Sequence, residues 1–114
     1  MNRITHQGLI PQETIDEAAR MLLEAAPKGS EVILFGSYAR GDADSNSDLD
    51  FMVVEPFVKG QMAEMTRLRQ TLRDLRVPVD VLVVSREGFE AWKGQVNTVV
   101  SRAAREGRSY AHTA

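Results

Sequence analysis

Three short apolar runs, Glu31-Val32-Ile33-Leu34-Phe35, Leu49 to Val54 and Val79 to Val84, constrain this chain most, because the intervals between them differ in kind. Each run has strand length, and continuous apolarity suits a strand covered on both faces. The first interval, Gly36 to Asp48, is about a dozen turn-rich residues. That is marginal for a parallel crossover and easy for an antiparallel pair. The second interval opens at Glu55-Pro56 and contains a full helical pattern, so a parallel crossover is open there. The expected fold class is α/β (α+β): a small mixed β-sheet with helices packed on it.

The helices are read from their periodicity. Pro11 suits a first helical position, and Ile15, Ala18, Ala19, Leu22, Leu23 and Ala26 recur at helical spacing until Pro27-Lys28-Gly29-Ser30. Between Gln61 and Arg76, the residues Met62, Met65, Leu68, Leu72 and Leu75 form one apolar stripe. Glu87 to Glu106 is mostly helical, with a stripe of Phe89, Trp92, Val96, Val99 and Ala103 and a break near Gly94. Gly107 to Ala114 has no periodicity and reads as an unstructured tail.

At 114 residues the natural expectation is one domain, spanning 1–114, without a separate substrate or nucleic-acid domain. Lys and Arg number 14 against 16 Asp and Glu, a formal charge of −2. That balance argues against direct nucleic-acid binding, which rests on a basic surface. There is no Cys, which excludes disulfides and thiolate metal sites. The first residues lack a signal-peptide core, and Val77 to Val84, the longest apolar stretch, is broken by Pro78 and Asp80. A soluble cytoplasmic protein with no membrane partner is expected.

The strand arrangement brings particular residues together. With the first two strands antiparallel, Gly36-Ser37 lies beside Asp48 and Asp50. With the third strand parallel to the second, Asp80 falls at the same end. Asp48 and Asp50 are two apart at the mouth of a strand and share a face. Such a pair can chelate a hard cation such as Mg²⁺. Asp80 sits among residues suited to burial, where an ionised carboxylate is costly unless paired or metal-bound. Gly36 permits close backbone approach, and Ser37 can donate to a phosphate oxygen. A helical turn after it would add N–H groups for phosphate, and Arg40 would either contact phosphate or pair with a loop carboxylate. Together these parts suit a nucleoside triphosphate held by metal and a Gly-Ser turn, for phosphoryl or nucleotidyl transfer.

Taken singly, each part has a blander reading. A Gly-Ser turn is common, and most Asp-x-Asp pairs cap turns or face solvent. The joint spacing is what points to chemistry. Asp42, Asp44 and Asn46 match the first three ligand positions of an EF-hand loop, but Ser47 replaces its glycine and Val53 its glutamate. Calcium is therefore rejected, and Asp42 and Asp44 are taken as solvated loop residues. His6 and His112 lie near the ends with no partner at metal spacing. Arg67, Arg69, Arg73 and Arg76 read as a solvated helix side.

Gly36-Ser37-Tyr38-Ala39-Arg40-Gly41, followed after ten intervening positions from Gly36-Ser37 by Asp48-Leu49-Asp50, resembles the signature of the polymerase β nucleotidyltransferase superfamily. Asp80 matches its third carboxylate, on a later strand. The Ala-Arg-Gly continuation and short length resemble the minimal nucleotidyltransferase (MNT) group, often the antitoxin half of HEPN–MNT toxin–antitoxin pairs.

The resemblance implies a polymerase β-like nucleotidyltransferase fold and an enzyme of that class. Gly36 and Ser37 would bind the triphosphate, with Arg40 beside it. Asp48 and Asp50 would hold Mg²⁺, two ions being expected. Asp80 would complete the metal site and assist deprotonation of the attacking hydroxyl. The implied donor is ATP, the acceptor a tyrosine hydroxyl on a HEPN-type toxin, and the assembly a homodimer or hetero-oligomer. Two alternatives share the motif: an antitoxin acting by binding alone, and a small-molecule transferase of aminoglycoside type. The last is disfavoured by the roughly 30 residues after the third strand.

Overall fold

A computed structural model describes residues 8–111. The elements follow the order helix α1 (Gln12–Ala25), strand β1 (Glu31–Phe35), helix α2 (Ser37–Arg40), strand β2 (Leu49–Glu55), helix α3 (Gln61–Thr71), strand β3 (Val79–Ser85), helices α4 (Arg86–Trp92) and α5 (Val99–Glu106), and strand β4 (Arg108–Ala111). A 3₁₀ turn over Arg73–Leu75 continues α3 and ends at Arg76, a left-handed residue with φ of 57°.

The sheet order is β3-β2-β1-β4. β1 pairs antiparallel with β2 and with β4, and β2 pairs parallel with β3. The short first interval thus makes the antiparallel pair, and α3 makes the crossover to the parallel one. This is the mixed α+β architecture of the polymerase β-like nucleotidyltransferase fold. Among the described residues no helix is long and apolar enough to cross a membrane.

The side-chain alternation of β2 sorts the core into two layers. Leu49, Phe51 and Val53 face α1 and α3, joining Leu22, Leu34, Leu68 and Val83 in one cluster. Met52 and Val54 face the other way, packing with Ile33, Phe89, Val100 and Ala103 under α4 and α5. Asp48 and Asp50 share the parity of this second face, at its open end. Glu55 shares the parity of the first.

Several sequence expectations need correction. The tail is not structureless: Arg108–Ala111 forms β4, with Glu31 opposite Ala111 and Leu34 opposite Arg108. Tyr110 Oη donates to Asp16 Oδ1 at 2.9 Å. Burial, followed by that hydrogen bond, raises the Tyr110 pKa above its ordinary value. His6 and His112 lie outside the described residues.

The long final stripe also divides. Phe89 and Ala103 are buried, whereas Trp92, Val96 and Val99 are exposed. Residues 93–98 leave the helix, with Asn97 left-handed at φ 70°. The second helix therefore starts in a new phase, with Val100 inward. Along α3 and the 3₁₀ turn that follows it, Leu68, Leu72 and Leu75 are buried, but Met62 at the start of the stripe is 72% exposed.

Arg67 is not merely solvated. It donates from Nε and Nη2 to Glu64 at 2.9 and 2.8 Å, and from Nη2 to the Ala25 carbonyl at 2.9 Å. Those bonds tie α3 to the end of α1. Glu64 in turn shares a hydrogen bond with Glu55, which is 2% exposed. Burial, then the bond to Glu64, pushes the Glu55 carboxyl up to about 8. The Arg67 guanidinium, then Glu55, holds Glu64 down at about 2. A proton kept on Glu55 is thus shared with an ionised Glu64.

Candidate active site

The site is assembled by sheet register. Phe35 lies opposite Asp50 across the antiparallel pair, and Asp50 lies beside Asp80 across the parallel pair. Adjacent strands are about 4.8 Å apart, so the end of β1 and the starts of β2 and β3 meet at one sheet end.

Gly36 follows Phe35 and turns the chain with φ 78° and ψ −158°, a region open essentially to glycine. A side-chain carbon there would run into Asp50 Oδ2 and Cγ. The glycine therefore lets the turn lie directly on the carboxylate. The chain then enters α2, where the Ala39 and Arg40 N–H groups donate to the Gly36 carbonyl at 3.1 and 3.0 Å. Gly41 closes the turn in a left-handed conformation at φ 90°. Tyr38 anchors it from behind, since Tyr38 Oη accepts the Ile10 N–H at 3.1 Å.

The loop back to β2 is ordered by its own side chains. Asp44 Oδ1 accepts the Asn46 N–H at 2.9 Å, and Ser47 Oγ accepts the Asp44 N–H at 2.9 Å. Asp42 pairs with Arg40 Nε at 3.2 Å. Both EF-hand look-alike carboxylates are exposed, as expected, and engaged locally.

Asp50 is half-buried, and its pKa is raised. Burial is the main cause, followed by the charges of Asp80 and Asp48, with Arg40 opposing them. Asp80 and Asp48 thus both bear on Asp50. Asp80 departs from the sequence expectation. Its apolar neighbours are buried or half-buried, but Asp80 itself is exposed. It occupies the open sheet end, where water reaches it. Arg40 pairs with the loop carboxylate Asp42, and Glu106 of α5 also holds its Nη1 at 3.1 Å. These two hydrogen bonds, Asp42 first, raise the Arg40 pKa.

Among the described residues, no three acidic or imidazole side chains are gathered at metal-ligand spacing. The donor set still suits a hard cation. Asp48, Asp50 and Asp80 offer only oxygen, and Asp80 and Asp48 raise the cost of ionising Asp50, which a divalent cation relieves.

A cleft of about 420 Å³ opens beside the carboxylates. Asp50, Asp80, Phe35, Leu82, Val99 and Arg102 contribute to its lining. Arg102 was not singled out by sequence reading. Its only signal was a cation on the polar side of a helix.

Residues 15–105 match the nucleotidyltransferase domain family. The chain belongs to that family. Comparison with curated proteins gives no match. Among solved structures, the chain is similar to a Sulfolobus solfataricus protein provisionally described as a nucleotidyltransferase. The two are 26% identical, with 69% of this chain and 70% of that one covered and a TM-score of 0.55. It also shares its fold with a chain from a toxin–antitoxin structure containing AMP-PNP. Identity there is 21%, coverage is 91% of this chain and 76% of that one, and the TM-score is 0.59.

Proposed function

We propose that this chain is a Mg²⁺-dependent nucleotidyltransferase that transfers AMP from ATP to a tyrosine hydroxyl of a HEPN-type partner toxin, and so acts as an antitoxin. The observation that carries the reading is the register Phe35–Asp50–Asp80, which sets the Gly36-Ser37 turn against the carboxylates. Likeness to a chain from a toxin–antitoxin structure with AMP-PNP supports the partner and the nucleotide.

In this reading Gly36 and Ser37 hold the triphosphate, Asp48 and Asp50 hold the metal, and Asp80 completes that set. Bound divalent metal supplies Lewis-acid polarisation of the phosphoryl oxygens and lowers the pKa of an attacking hydroxyl. Asp80, exposed at the sheet end, is reachable by an acceptor and takes its proton. Arg40, held by Asp42 and Glu106, pins α2 and thereby the Gly-Ser turn.

The test is purified chain with Mg²⁺, labelled ATP and the partner toxin. Label should appear on a partner tyrosine and vanish with Asp48→Ala. Unlabelled partner, or equal labelling by that variant, defeats the reading. A second reading, silencing by binding alone, is favoured by exposed Trp92 and Val96, at 54% and 75%. It requires folded Asp50→Ala to protect cells as well as wild type.

A further inference from the structure

The cation nearest the Gly-Ser turn in sequence, Arg40, is already neutralised by Asp42 and Glu106. Arg102 stands differently. Among the described residues its side chain has neither an ion-pair nor a hydrogen-bond partner. It precedes Glu106 by four residues on α5, so the two side chains project from the same helix face. Glu106 grips Arg40 of α2, the helix that begins at Ser37. Arg102 lines the cleft shared by Phe35, Asp50 and Asp80. Arg102 therefore stands at the cleft on which Asp50 and Asp80 open, one helical turn from the residue that grips α2.

We propose that Arg102 binds the β- and γ-phosphates of the nucleoside triphosphate, the part that leaves as pyrophosphate. This rests on the nucleotidyl-transfer reading above and adds a residue to it. A triphosphate brought against three carboxylates places like charge on like charge. A free guanidinium facing the same cleft offsets that excess, and its planar fork suits phosphate oxygens bidentately. Phe35, Leu82 and Val99 supply the apolar part of the same lining.

In the transfer, the bond from the α-phosphorus to the bridging oxygen of pyrophosphate breaks. A bond from the acceptor oxygen to that phosphorus forms, and the acceptor loses its proton. Arg102 stays protonated throughout and takes no proton. It stabilises the negative charge that grows on the departing pyrophosphate.

The test measures equilibrium binding of MgATP, Mg-pyrophosphate and AMP to wild type, Arg102→Ala, Arg102→Lys and the control Arg69→Ala. Arg102→Ala should weaken MgATP and pyrophosphate by about tenfold each and AMP by less than about twofold. Arg102→Lys should fall between, because lysine keeps the charge and loses the fork. Arg69→Ala should bind as wild type. Arg102 is exposed, so an unchanged thermal midpoint will show that the variants fold. Wild-type affinity for MgATP and pyrophosphate in Arg102→Ala, or equal losses for AMP, overturns the assignment. A wild type that binds pyrophosphate or AMP but not MgATP, or binds none of the three, defeats the nucleotidyl-transfer reading and this inference with it.

Discussion

Strand β2 carries a carboxylate near each end, and the two are treated in opposite ways. Asp50 lies on the face under α4 and α5, half-open to water and repelled by Asp80 and Asp48. Glu55, five residues on, lies on the opposite face, buried under α3 and sharing a proton with Glu64. Burial raises both pKa values, but the remedies differ. Glu55 is held neutral within the protein and bonded to Glu64, which Arg67 in turn pairs, while Glu55 Oε2 stays buried with no hydrogen-bond partner among the described residues. Asp50 gathers further negative charge around it, a cost best relieved by a cation from outside. Internal compensation marks a structural group, and uncompensated repulsion at a cleft marks a candidate for chemistry.

The sharpest way to break the contrast is Asp50→Asn. Nucleotidyl transfer should fall at least about a hundredfold. The thermal midpoint should hold or rise, because a repelled charge has gone. A variant that loses stability and keeps activity would assign Asp50 to the Glu55 type.

Gly36→Ala should lower both quantities. A methyl at that backbone conformation is strained and meets Asp50, costing about 1–3 kcal/mol in denaturant titration together with most of the activity. Unchanged stability would show that the turn does not rest on the carboxylate.

Glu55→Gln tests the other end through pH. Glu55 keeps its proton up to about 8 when folded but releases it near 4.5 when unfolded. The unfolded chain then binds fewer protons across that window, so wild-type stability falls as pH rises through it. Glu64 has the opposite sign. Its contribution is present above 4.5 and is lost as pH falls toward 2. The variant removes the first slope alone. Relative to wild type it should gain about 1–2 kcal/mol between about pH 5 and pH 8, with transfer activity retained. Parallel stability–pH curves for the two proteins would refute the shared-proton account.

Metal addition should separate the two carboxylates more gently. Millimolar Mg²⁺ should raise the wild-type thermal midpoint by a few degrees through preferential binding to the folded state. Glu55→Gln should respond equally and Asp50→Asn should not. The smallest effect is expected away from both carboxylates: Tyr110→Phe should cost about 1 kcal/mol by removing the bond to Asp16. No loss at all would mean that β4 docks through its backbone alone.

Much of the site was legible before the fold was known, because it depends on local spacing. A strand ending in Gly36-Ser37, a short return to Asp48 and Asp50, and a helix before Asp80 leave few arrangements. The errors arose where a residue's environment is set by distant chain. Asp80 reads as buried from its neighbours, yet the strand starts at an open sheet end. Trp92 and Val96 continue a helical stripe on paper, but the break at residues 93–98 changes its phase. Arg67 reads as a solvated cation until the Ala25 carbonyl is brought to it, and the Glu106 bond to Arg40 has no local signal.

The sequence by itself determined the strands, the main helices and the Gly-Ser and Asp-x-Asp pair, since backbone propensity and side-chain alternation act over a few residues. Tertiary structure decided the rest. Arg108–Ala111 becomes a strand because β1 offers it an edge, which no periodicity in the tail records. Arg102 joins the carboxylate cleft because α5 lies across the sheet, and Glu55 keeps its proton because folding buries it and α3 brings Glu64 over it. Charge and solvation depend on what folding places within a few ångströms, and those neighbours are far apart in sequence.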